Sequence, residues 1–208
     1  TSPNLRMKSI GHWYRAKHSH VPQGWLRRMV PDLPDWPAGC TLFDYTGSDP
    51  DRTAQWLRWN EFAGHLTRVL LKVDRASMYE SLEVRVPLLD LDVVRVAMRV
   101  DWKSCLDLRT GTGKLPLRRA LARYAKHQTS AKRGFGVPMS EWLRGPLRSL
   151  LLDELGSRSD VLGVPLRRQH VAAFVDEHLR GATDRGWGIW ILLSLALWER
   201  RHYRRWRS

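Results

Sequence analysis

The sequence predicts a mainly α-helical fold, and three observations carry that expectation. From Leu66 onward, apolar residues recur three and four apart, the spacing that lines one face of a helix. Prolines stand where helices begin and glycines where they end, as at Pro146 and Gly156 or Pro165 and Gly181. After residue 60 no stretch of five or more residues reads convincingly as a strand. Eleven Trp among 208 residues, with 43% hydrophobic and 27% charged residues, give the chain material for a sizeable globular core.

The elements follow in order. Residues 1–54 form an irregular segment in which Pro22, Pro31, Pro34, Pro37 and Pro50 interrupt any long helix, with Trp13, Trp25 and Trp36 between them. Short helices winding over a surface are the expectation there, and residues 55–208 are expected to form the helical body. Leu66, Val69, Leu70, Val73 and Ala76 predict a helix from about Asp51 to Met78, broken near Gly64. The run Glu83-Val84-Arg85-Val86-Pro87 is extended, because Pro87 disfavours a helical Val86. Asp90 or Asp92 can cap a helix whose inner face is Val93, Val96, Ala97 and Val100. Another begins near Leu115, with Pro116 in its first turn and Leu117, Ala120, Leu121 and Tyr124 facing inward. Asp184 precedes a last helix, and Trp187 to Trp198 reads as buried.

Several function classes are disfavoured. The longest apolar run covers twelve positions, short of the roughly 20 that span a bilayer, and the first twenty residues hold no secretory hydrophobic block. The opening Thr-Ser-Pro-Asn, without Met, suggests a fragment or a processed product. Cys40 and Cys105 show no disulfide or zinc spacing and read as reduced thiols of a cytoplasmic protein; no metal site is expected. The net charge of +14 attracts anions, but Arg is spread along the whole chain. Only Arg200, Arg201, Arg204, Arg205 and Arg207 form a dense cluster, with Tyr203 and Trp206 interleaved. A basic nucleic-acid-binding module is therefore an alternative without a motif of its own.

Three clusters place polar groups where a helical core does not ask for them. The first runs Lys72-Val73-Asp74-Arg75-Ala76-Ser77-Met78 into Ser81-Leu82-Glu83-Val84-Arg85-Val86-Pro87-Leu88-Leu89-Asp90. Charges interleaved with apolar residues are costly unless paired or used, and structural pairing of Asp74 with Arg75 or Glu83 with Arg85 is the plain explanation. The second is Thr110-Gly111-Thr112-Gly113-Lys114-Leu115-Pro116-Leu117-Arg118, in which glycines and a Lys at a helix start can hold a phosphate. Its spacing is not that of a P-loop. The third is Lys132-Arg133-Gly134-Phe135-Gly136-Val137-Pro138, followed by Trp142.

Taken together and in this order, the clusters resemble the signature of the asparagine synthetase family. The first run is similar to that family's KVDRASM-x-x-SLE-x-R-x-P-F-LD, Gly111 to Arg118 to its G-x-x-K-x-x-LR element, and Lys132 to Trp142 to its K-x-GF-x-x-P-x-x-x-W element. Ile189-Trp190 to Trp198-Glu199-Arg200 resembles the family's last helix. The likeness covers roughly residues 55–200. Leu88 replaces the usual Phe, and Tyr79-Glu80 replaces a pair that is often Ala-His.

The resemblance implies the helical C-terminal portion of an α/β synthetase domain of the ATP-pyrophosphatase (adenine nucleotide alpha hydrolase-like) type. Such enzymes adenylate the β-carboxylate of aspartate with Mg-ATP, and ammonia from a glutaminase domain displaces AMP to give asparagine. The glutaminase's terminal Cys and the SGG-x-DS pyrophosphate loop do not occur here, so the resemblance puts most of the ATP and Mg2+ binding in a missing N-terminal half of the same protein. It places Glu83 at the family's active-site glutamate, handling the incoming amine, and Lys114 at the lysine that contacts phosphates. Lys132 and Arg133 are candidates to touch substrate or pyrophosphate. Asp90, Arg85 and Arg118 match signature positions expected to hold the loops in place. Asp74 and Arg75 are expected to pair structurally. β-Lactam synthetases and lasso-peptide cyclases, relatives that activate a carboxylate in the same way but use an internal amine, are the alternative.

Overall fold

The computed structural model describes residues 9–34, 40–125 and 136–203. Helices dominate, and the described strands are two-residue pairs. Among the described residues, 9–10 and 44–125 gather into one compact unit, and 11–34, 40–43 and 136–203 into another. This grouping cuts across the boundary expected at residue 54.

The first unit begins with α3 (Pro50–Asn60), which follows α1 (Ile10–His18) and α2 (Gln23–Met29) in the chain. Asp49 starts α3 by accepting the Arg52 amide at 2.7 Å, with Pro50 at the first helical position. The expected break at Gly64 is a π-helical stretch, Glu61–Leu66, after which α4 (Thr67–Tyr79) resumes. A 3-10 turn at Pro87–Leu89 leads into α5 (Leu91–Arg99). Beyond it, β1 (Leu106–Asp107) pairs antiparallel with β2 (Thr112–Gly113), ahead of α6 (Leu115–Tyr124).

In this unit the expected inner faces are not covered. Val93 and Val96 of α5 are 41% and 65% exposed, and Leu117, Leu121 and Tyr124 of α6 are 51%, 44% and 88% exposed. Asn60 is the one buried residue among those described in the unit. The apolar stripes exist as read, but the described residues of the unit bring no covering surface against them.

The second unit has a true core. It holds α1, α2, α7 (Met139–Arg144), α8 (Arg148–Leu155), a hairpin of β3 (Asp160–Val161) with β4 (Val164–Pro165), α9 (Arg168–Leu179) and α10 (Gly186–Trp198). Met29, Leu143, Leu151, Phe174, Ile189 and Leu193 are fully buried together. Trp25 meets Phe174 edge-on, with ring centres 5.3 Å apart. The early segment therefore does not merely wind over a surface: α2 puts Trp25 and Met29 into this core. Gly188 lets α10 approach closely, since a Cβ there would lie 2.9 Å from the His20 carbonyl and 3.0 Å from the Phe174 ring. Only one face of α10 is buried; Trp187 and Trp198 are about half exposed (49% and 51%), contrary to the fully buried helix expected.

A buried ion network closes this unit. Arg158 pairs with Glu199, and Glu154 lies 3.6 Å from the same guanidinium. Glu199 also accepts the Leu162 amide at 3.1 Å, fastening the β3–β4 turn to the end of α10. Arg200 pairs with Glu154 from the exposed side.

Candidate functional site

The candidate groups that the structure describes all lie in the first unit, where local bonds shape their surroundings. At the end of α4 the Leu82 amide reaches back to the Ser77 carbonyl at 2.9 Å, with Ser81 in the left-handed region at φ 57°. That is a helix stop usually made with glycine. It turns the chain into the extended stretch 82–86, where residues two apart share a side. Glu83 and Arg85 accordingly pair with each other while their side chains remain 68% and 84% exposed. Their pairing, one of the two plain explanations for the charges, is thus present, and it leaves the Glu83 carboxylate open to solvent. Asp74 and Arg75, the other expected pair, make no ion pair among the described residues; successive helical residues point in different directions. Asp90 accepts the Asp92 amide at 2.9 Å and so caps α5.

Lys114 stands at the start of α6, exposed, with φ 61° and ψ 34°. The β1–β2 turn before it is built by Asp107, which accepts the Arg109 amide at 2.9 Å and the Thr110 hydroxyl at 2.8 Å. Those bonds, the hydroxyl's first, hold the Asp107 carboxyl below the usual carboxylate range. Gly111 supplies the positive φ of 69° that the reversal requires. Arg118 donates back from α6 to the Gly113 carbonyl at 3.0 Å. Part of the backbone that could face a phosphate here is already committed. The Leu115 amide is already given to the Cys105 carbonyl at 3.2 Å, and Pro116 has none to give. The ammonium of Lys114 and the helix dipole remain.

Lys114 borders an open groove of about 670 Å³, walled by Leu88, Val93, Val96, Ala97, Val100, Pro116 and Leu117, with Arg58, Asp92 and Cys105 among the lining residues. The signature run thus reaches the Lys114 groove through Leu88; Glu83 itself is not among the lining residues. Lys132 and Arg133 lie outside the described residues.

Two organising residues escaped the sequence reading. Arg58 donates to the Val100 carbonyl at 2.9 Å and the Ala97 carbonyl at 2.6 Å, tying α3 to the C-terminal end of α5 at the groove's edge. Asp51 accepts from the Trp102 indole at 2.8 Å and the Lys103 ammonium at 3.0 Å. The bond from Lys103, then that from Trp102, lowers its carboxyl's pKa. Partners about 40 and 50 residues apart leave no periodic signal.

The sequence model of the asparagine synthase family matches residues 4–200. The chain belongs to the asparagine synthase family. Curated relatives agree. Proteins of Mycobacterium tuberculosis (strain H37Rv) and Mycobacterium bovis named putative asparagine synthetase [glutamine-hydrolyzing] are each 33% identical over 190 residues, covering 84% of this chain and 27% of the relative. Asparagine synthetase [glutamine-hydrolyzing] 1 of Bacillus subtilis (strain 168) is 30% identical over 134 residues, or 63% of this chain and 20% of that protein. The chain thus spans about a quarter of the length of the mycobacterial relatives. No solved structure matches it. Among the described residues no helix is long and apolar enough to cross a membrane, and no three His, Cys, Asp or Glu side chains cluster as metal ligands would.

Proposed function

We propose that this chain is part of an ATP-dependent, AMP-forming amide ligase that makes asparagine from aspartate and glutamine-derived ammonia. One observation carries the reading furthest: the unit bearing the family signature presents Glu83 and Lys114 exposed, beside apolar faces that none of its described residues covers. In this reaction the β-carboxylate of aspartate attacks the α-phosphorus of ATP and pyrophosphate leaves. Ammonia then adds to the acyl carbon, loses a proton, and AMP departs. Glu83 is suited to take that proton or steady the ammonium. Lys114 is suited to offset charge on the phosphate oxygens. The described residues fit one side of a phosphate, and the family resemblance assigns most of the Mg-ATP binding to the preceding portion of the longer protein. The same portion is proposed to cover α5 and α6, where each half-exposed apolar side chain would gain about half of the roughly 1.5–3 kcal/mol of complete burial.

The test uses the full-length parent with ATP, aspartate and glutamine. Glu83→Gln and Lys114→Ala are each expected to abolish AMP and asparagine formation while glutamine hydrolysis continues. Synthesis at the parental rate by either variant rejects the roles given. The 208-residue chain alone is expected to show no ATP–pyrophosphate exchange. If the parent releases pyrophosphate only with another carboxylate, the reading moves to a related amide ligase.

A further inference from the structure

The second unit contains a buried knot of polar groups that the proposed reaction does not use. Its centre is His178 of α9, with no exposed surface. The ring's Nδ1 accepts the Arg185 amide at 3.1 Å. An Nδ1 that accepts leaves the ring's hydrogen on Nε2 in the neutral form, and Nε2 has no hydrogen-bond partner. One cation, Arg144, and one anion, Asp184, face the ring. From α7, the Arg144 guanidinium lies 3.4 Å from Nδ1 and donates to the His178 carbonyl at 2.9 Å. Ahead of α10, Asp184 lies 3.5 Å from Nδ1, and Arg185 pairs with Glu177 of α9 at 2.9 Å. Asp184 is occupied: it accepts the Ser140 hydroxyl at 2.7 and 2.8 Å and the Gly186 amide at 2.9 Å. Because Ser140 binds the carboxylate and not the imidazole, the trio is no nucleophilic relay.

A proton added at Nδ1 would disturb all of these bonds. The Arg185 amide would lose its acceptor and face another N–H, while a new positive charge would sit beside Arg144. Asp184 is the group able to receive the new N–H, and turning to it weakens the hold on Ser140 and Gly186, which fixes the first turn of α10 to α7. We propose that this knot is an acid-sensitive latch: neutral His178 keeps the start of α10 fastened to α7 and α9, and protonation releases it. Burial first, and then Arg144, lowers the histidine's pKa, against the opposing pull of Asp184. With the folded pKa below the ordinary value of about 6.5, the stability contribution is whole above that value. It is lost as pH falls from there toward the folded pKa, because only the unfolded chain takes up the proton.

The experiment is a pH series of thermal melts on the 208-residue chain, followed by Trp fluorescence, beside His178→Asn, whose amide oxygen can replace Nδ1 as acceptor but cannot ionise. The wild-type melting temperature is expected to be level from pH 8 to about 6.5, then to fall by roughly 3–5 °C per pH unit, one proton's worth. The variant melts lower but level across that range. An equal slope in both proteins overturns the latch. A second measurement stands if the variant does not fold: the backbone-assigned His178 ring resonance of the wild type should keep its neutral shift until the unit unfolds. An ordinary titration near pH 6.5 with the fold intact overturns the proposal as well. Neither readout depends on the ligase activity.

Discussion

Replacing Glu199 with Ala tests whether the ion network at the end of α10 supports the second unit. Glu199 is 5% exposed, and the side chain of its partner Arg158 is 11% exposed. Removing one partner of a buried pair leaves an uncompensated charge and costs about 3–5 kcal/mol. The freed Leu162 amide adds about 1–3 kcal/mol if no water reaches it. Against this, Glu154 stays 3.6 Å from Arg158, and the guanidinium still donates to the Glu154 carbonyl at 3.1 Å and the Asp160 carbonyl at 3.4 Å. These remaining contacts place the expected loss near the lower bound, about 3 kcal/mol, read from urea unfolding followed by Trp fluorescence. The companion double variant Glu199→Leu/Arg158→Met removes both charges and fills the space, so it should recover most of that loss. A single variant within about 0.5 kcal/mol of wild type, the range of ordinary surface changes, refutes the reasoning. So does a double variant no more stable than the single one.

Two further predictions concern close contacts. Arg58→Met keeps the apolar stem but deletes the bonds to the Ala97 and Val100 carbonyls; about 1.5–3 kcal/mol should be lost, seen as faster hydrogen exchange at the end of α5 while the second unit keeps its protection. Gly188→Ala forces a methyl against the His20 carbonyl and the Phe174 ring and should cost about 1–3 kcal/mol, measured as a lower urea midpoint; a neutral result would mean that α10 is not held this closely.

Much of the helical order was legible because helix ends are written in few residues. Asp90, one of two cap candidates, caps α5, and Pro116 sits in the first turn of α6 as the sequence indicated; Asp184, placed only ahead of the last helix, accepts its first amide. What escaped were short elements without room for a period. The helix Met139–Arg144 hid behind a glycine-rich stretch, and both hairpins have two-residue strands whose register depends on turns, not on alternation. Burial was legible only as a stripe. The spacing of Val93, Val96 and Val100 says that one face of α5 seeks cover, but it cannot say whether this chain provides it. Here the described residues do not.

The candidate site divides along the same physical line. Its polar groups are posed by bonds that span only a few residues, and such bonds can form without a core beneath them. Asp107 shapes the turn that leads to Lys114, the Ser81 reversal exposes Glu83, and Asp90 fixes the start of α5. Exposed bonds of this kind contribute about 0.5–1.5 kcal/mol each, enough to bias a conformation but not to hold one against thermal opening. The unit with the buried core, by contrast, carries none of the candidate groups the structure describes. A surface that covered the valines of α5 and the leucines of α6 would supply rigidity at Glu83 and Lys114. Covering those faces would stabilise the unit and fix the two charges by the same contacts, which ties any activity of these residues to the burial of surface several residues away.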